Sequence, residues 1–184
     1  MITKMISNIK KIEHGGYNGL VKLERKDEPF YGRIENDFGI HADEDVPVEY
    51  AEKCVKDFFS LSDEAIDFIC RSVKAFCLKN AEECESNGYL EDFLNDLTIP
   101  VYKDTSAADV MKCVGIQGIH VPKPKNESEI GYCIGAWCDW DPEHGLLIIM
   151  LNGKPVCVGN SDYMFCSPWD EFDKDDDRNF VNCI

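Results

Sequence analysis

A chain of 184 residues, 44% hydrophobic and 11% aromatic, is long and apolar enough to bury the core of one domain. Its 19 Lys and Arg stand against 35 Asp and Glu, a formal net charge of −16. Such a surface repels phosphate backbones and anionic headgroups, which argues against nucleic acid or an acidic membrane as the direct partner and makes a basic protein the attractive one.

Ten cysteines would suit a secreted disulfide scaffold. The stretch Met1–Lys11, however, has no long apolar core followed by a small-residue cleavage site, and the longest uninterrupted apolar run, Leu146–Leu151, is too short to span a bilayer. The expectation is a cytoplasmic protein with reduced thiols. Cys70, Cys77, Cys133, Cys138 and Cys157 fall where cysteine behaves as a small buried hydrophobe.

Residues 1–16 are basic, short of large apolar side chains and end in Gly15-Gly16, a lead-in of uncertain order. Next, Gly19–Glu24 and Pro29–Glu35 alternate, with Val21, Leu23, Phe30, Gly32 and Ile34 on one side and Lys22, Glu24, Arg33 and Glu35 on the other. With Arg25–Glu28 as a turn, they predict an N-terminal hairpin with one wet face. Asn36-Asp37 breaks the alternation, and Phe38–His41 could add a short strand.

From Pro47 the period becomes helical, with Ala51, Val55 and Phe58 on one face. A second helix is expected from Ser60 or Ser62, with Asp63 and Glu64 in its first turn. Its apolar stripe runs Ile66, Ile69, Cys70, Val73, Phe76, Cys77, and Asn87-Gly88 closes the acidic stretch that follows. Tyr89–Leu97 reads as a short helix and Thr98–Tyr102 as extended chain. Thr105 or Ser106 could cap a helix carrying Val110 and Met111, and Gly115–Val121 reads as a strand before the loop Pro122–Asn126.

The most informative stretch is residues 130–159, three apolar runs separated by Asp141–Gly145 and then by Asn152-Gly153, the strongest dipeptide signal for a two-residue hairpin turn. It predicts a three-stranded antiparallel meander. The middle strand is apolar at both parities, so both of its faces should be covered. The fold class is therefore α+β, an antiparallel sheet built from the N-terminal hairpin and the C-terminal meander with two main helices packed on one face. A single domain over 17–168 is followed by an acidic C-terminal segment over 169–184; residues 160–184 carry seven acids to two bases.

The stretch Trp137–His144 gathers a thiol, an imidazole and three carboxylates, and nucleophilic catalysis would need Cys138 and His144 within hydrogen-bonding reach. The neighbours of Cys138 read instead as a buried strand end, and Asp-Pro-Glu-His-Gly as turn chemistry in which Gly145 supplies an unusual backbone angle. No catalytic residue is assigned. The sequence holds no Cys-x-x-Cys or His-x-x-x-His pair. Asp173, Asp175 and Asp177 imitate the start of a calcium loop, but Arg178 stands where that loop needs Gly and Ile184 where it needs Glu. No metal ligand and no cofactor is assigned, and no phosphate loop, nucleophile elbow or kinase set occurs.

What remains is a surface. Acidic clusters at 139–143 and 170–177 flank the meander and are interleaved with aromatic side chains, the make-up of an interface hot spot within a charged rim. The candidate partner-binding residues are Asp139, Asp141, Glu143, Trp169, Asp170, Glu171, Asp173, Asp175, Asp176 and Asp177.

The phrase Ile134-Gly-Ala-Trp-Cys-Asp-Trp-Asp-Pro-Glu-His-Gly-Leu146, followed by Asn152-Gly153-Lys154 and Val158-Gly159, resembles a bacterial family of uncharacterised domains. In that family D-C-x-W-D-x-E-H-G-L precedes a strand, a short turn and V-G-x-x-D. Cys138, Trp140, Asp141, Glu143, His144, Gly145, Leu146, Val158, Gly159 and Asp162 match the phrase, and Trp137 and Asp139 depart from it. Members similar to this are often found among polymorphic-toxin and contact-dependent inhibition loci, where small acidic proteins act as immunity factors; the resemblance implies no catalytic residue. Together with the charge, it leads to the expectation of a non-enzymatic immunity protein that neutralises a basic toxin, a nuclease domain being one candidate. The rivals are a housekeeping or regulatory protein-binding module and a thiol enzyme built on Cys138 and His144.

Overall fold

The computed structural model describes residues 10, 11, 17–20 and 29–184. Seven strands form one sheet in sequence order: β1 (Lys10–Lys11), β2 (Tyr17–Leu20), β3 (Ile34–Ala42), β4 (Val114–Val121), β5 (Gly131–Cys138), β6 (Leu146–Leu151) and β7 (Lys154–Gly159). Between β3 and β4 run the helices α1 (Val48–Phe58), α2 (Asp63–Ser86), α3 (Leu90–Asp96) and α4 (Ala107–Val110).

The predicted meander is present as β5, β6 and β7. Asn152 and Gly153 turn the last hairpin with φ of 51° and 73°, both in the left-handed region that a tight primed turn requires. Ile148, Ile149 and Met150 of β6 are fully buried, so the strand is covered on both faces, as its sequence predicts. One face meets the helices. The other carries a smaller cluster of Cys133, Ile149, Cys157 and Tyr163, against which Cys166 and Phe172 pack.

The helices begin and end where their chemistry directs. Ser62 accepts from Ala65 N–H at 3.1 Å at the start of α2, and Ser106 accepts from Asp109 N–H at 3.1 Å at the start of α4. Gly88, at φ 81°, follows the end of α2. Ala51, Val55 and Phe58 of α1 and Ile69, Cys70, Val73, Phe76 and Cys77 of α2 are buried against the sheet.

The N-terminal hairpin differs from expectation. Its first arm beyond Leu20 and its turn lie outside the described residues, and Pro29–Arg33 is not a strand. Phe30 and Tyr31 are adjacent in sequence and both buried, which an alternating strand with one wet face does not allow. They join Phe38, Phe58 and Phe59 in an aromatic cluster, and the Tyr31 hydroxyl donates to Phe58 O at 2.6 Å. The strand starts instead at Ile34 and runs through Asn36-Asp37, where its pairing with β4 shifts register. Nor is the sheet antiparallel throughout. Because the whole helical layer lies between β3 and β4, the chain returns to the same end and these two strands pair in parallel.

Residues 169–184 lie against the domain. Phe180 stacks on Phe76 of α2 at 4.8 Å, with Trp140 edge-on to the same ring at 5.8 Å. Asn179, 1% exposed, serves the outer edge of β7 as a short substitute strand: its side-chain oxygen accepts from Val158 N–H at 3.1 Å and its amide donates to Val156 O at 3.2 Å.

Candidate functional site

The Asp141–Gly145 turn is built by Asp141. Its carboxylate accepts from His144 N–H at 3.2 Å and lies 2.8 Å from His144 Nδ1, while its carbonyl accepts from Gly145 N–H at 2.7 Å. Gly145 takes φ 69°, and a Cβ there would lie 2.7 Å from Ala136 O. The carboxylate beside it raises the His144 pKa above the ordinary imidazole value. Cys138 is held differently: its thiol donates weakly to Asp141 O at 3.9 Å, and burial pushes its pKa up to about 12. A thiol so placed holds its proton at neutral pH, the reverse of an activated nucleophile.

One residue of each acidic cluster, Asp141 and Asp177, lines the same cleft. This cleft of about 240 Å³ between α2, the Asp141 turn and the C-terminal segment is lined by Glu83, Asp141 and Asp177 together with Lys79, Arg178, Phe76 and Phe180. Glu143, Glu171, Asp173, Asp175 and Asp177 are exposed.

The other proposed contacts also hold the fold together. Asp139 accepts from Thr98 N–H at 2.6 Å. Asp170 accepts from Ser167 N–H at 2.7 Å and pairs with Lys125 at 3.0 Å; both lower its carboxyl pKa. Asp176 accepts from the Tyr163 hydroxyl at 2.5 Å and pairs with Arg178 at 3.1 Å, and its pKa is lowered by the same two partners. Trp169 is half-buried and lies over Gly131, where an added Cβ would come within 2.9 Å of the indole.

A second site is on the opposite, helix-free face, at the parallel pair. His41 of β3 is in register with His120 of β4, and their rings stack at 5.4 Å. Asp43 lies two residues beyond His41 and so on the same side of the chain, with Oδ1 2.8 Å from His120 Nε2. Donor atoms of His41, Asp43 and His120 all lie within 4.8 Å of one another. Beside them runs an open groove of about 460 Å³ lined by Gly39, Gly118 and Gly135, which pair across β3, β4 and β5, and walled by Leu147 and Met164. The glycines make the floor low. At Gly118 the need is strict, because a Cβ there would lie 2.3 Å from Gly39 O. Sequence reasoning assigned no role to His41, Asp43 or His120. The alternation His41-Ala42-Asp43 was the available signal, but the parallel pairing that brings in His120 was not legible.

Among the described residues, no helix is long and apolar enough to cross a membrane. No match was found among curated proteins or among solved structures. Residues 8–165 match one family across most of the chain, and the protein belongs to that family, described as Domain of unknown function (DUF6985).

Proposed function

We propose that this protein is a non-enzymatic, cytoplasmic immunity protein that neutralises a basic protein toxin, with a nuclease domain as the fitting class, by covering the toxin's substrate-binding surface with an acidic one. The observation that carries the reading is the meeting of one residue from each acidic cluster: Asp141 and Asp177, 36 positions apart in sequence, line one cleft with Glu83, on a chain of net charge −16. Lys79 and Arg178 offset part of the charge within the cleft, so the attraction for a cationic partner comes from the exposed Glu143, Glu171, Asp173, Asp175 and Asp177 around it, whose field speeds encounter. The protonated, backbone-bonded thiol of Cys138 supports a binding role over thiol catalysis.

The test is capture by the tagged protein from its native lysate at low salt with a matched high-salt wash, followed by association kinetics with the captured partner. The comparison variant replaces Glu143 with Gln and Asp173, Asp175 and Asp177 with Asn, sparing Asp176 because it supports Tyr163. The expected partner is basic, stoichiometric and toxic when expressed alone. Its association slows by about tenfold or more as salt rises through physiological strength, and it slows in the variant as well. Association indifferent to both salt and the four substitutions rejects the electrostatic reading.

A further inference from the structure

We propose that His41, Asp43 and His120 form a binding site for one divalent first-row transition-metal ion, with zinc as the reference case and an open coordination position facing the glycine-floored groove. Two imidazoles and one carboxylate are a donor set that such ions bind, and three protein donors leave room for a further ligand. The set is assembled by the sheet itself. His41 and His120 are register partners on parallel strands, so their side chains leave the same face at neighbouring positions. Asp43 is fixed by the chain around it: its N–H donates to Val121 O at 3.1 Å, and its Oδ2 accepts from Lys123 N–H at 3.2 Å, leaving Oδ1 aimed at His120.

The dimensions agree. A tetrahedral zinc ion with bonds of about 2.0–2.1 Å holds its donors about 3.4 Å apart, so donor atoms already within 4.8 Å need only small side-chain rotations to close on it. The ion would take the place of the direct contact between Asp43 Oδ1 and His120 Nε2, 2.8 Å apart. Access is open, since His41 is exposed and the His120 and Asp43 side chains are 40% and 43% exposed. The groove gives the ion a function beyond holding strands together. Because both histidines line it beside the flat glycine floor, a small molecule lying there could reach the vacant coordination position.

The experiment uses the full chain under reducing conditions, titrated with Zn²⁺ by calorimetry and with Co²⁺ by visible absorption. His41→Gln, Asp43→Asn and His120→Gln are compared with His144→Gln, which changes an imidazole outside the site. The expected result is one Zn²⁺ per chain, weakened by more than about tenfold in each of the three site variants and unchanged in His144→Gln. A cobalt spectrum without a thiolate charge-transfer band is expected too, since ten thiols are the competing ligands. Because a site variant could fail to fold, the parent chain is also followed by NMR during Zn²⁺ addition. Imidazole signals of His41 and His120 moving with a one-to-one endpoint support the site. Absence of saturable binding, a thiolate band, or metal-induced shifts confined to other residues overturns it.

Discussion

Replacing Asn179 with Ala tests whether the C-terminal segment is structural. The side chain is 1% exposed and makes three hydrogen bonds to backbone, accepting from Val158 N–H at 3.1 Å and Val181 N–H at 3.2 Å and donating to Val156 O at 3.2 Å. At about 1 kcal/mol net for each bond, truncation to Ala costs about 3 kcal/mol, and more if Val158 N–H stays buried without a partner. For a domain of this size that is a fall in Tm of roughly 6–12 °C, or in urea midpoint of about 1–2 M. Urea unfolding followed by tryptophan fluorescence reads it directly. Asn179→Asp adds a diagnostic sign. A buried carboxylate facing Val156 O has a folded pKa raised above its unfolded value, so the deficit is greatest at neutral pH and shrinks as the pH falls and the acid can donate. A loss of less than about 1 kcal/mol in Asn179→Ala would refute the assignment of Asn179 as the bridge to the edge of β7.

Tyr163→Phe removes the hydroxyl that donates to Asp176, at an expected cost of about 1.5–3 kcal/mol at neutral pH for a bond to a charged acceptor. The folded Asp176 pKa is lowered, so this contribution is full above the ordinary carboxylate pKa and disappears as pH falls through the folded value; parent and variant should converge in acid denaturation, and a constant gap would contradict the pairing. Gly131→Ala places a Cβ within 2.9 Å of Trp169 and Pro168, so it should cost about 1–3 kcal/mol through displacement of the indole, with a shift in tryptophan emission; an unshifted spectrum and unchanged stability would show that Trp169 does not rest there. In alkylation mapped by mass spectrometry, exposed Cys183 should react first, and Cys77, Cys138 and Cys157 only in denaturant, because burial raises all three thiol pKa values. Rapid native alkylation of Cys138 would revive the thiol-enzyme alternative.

The sequence was most readable where adjacent elements pair. The β5–β7 meander follows from alternation and Asn152-Gly153, and α1 and α2 from their apolar stripes and from Ser62. The contacts that join distant segments left no local trace. Phe30 and Tyr31 fit an alternating pattern until Phe58 and Phe59 draw both of them inward. Likewise, the charge of residues 170–177 suggests solvated chain, yet Asn179 and Phe180 at its end anchor the segment to β7 and α2. The cleft was half visible, with Asp141 and Asp177 in separate acidic clusters of the sequence. The histidine site was hidden because 77 residues separate Asp43 from His120.

The parallel pairing of β3 with β4 also governs how the molecule assembles. From β4 to β7 each neighbouring pair is joined by a hairpin or short loop and can form early, whereas pairing β3 with β4 requires closing a loop that contains the whole helical layer. The region from β4 to β7 can therefore act as a template onto which the N-terminal strands dock late. In native-state hydrogen exchange, amides of β5 and β6 should outlast those of β3, making the β3–β4 seam the boundary between an early and a late cooperative unit.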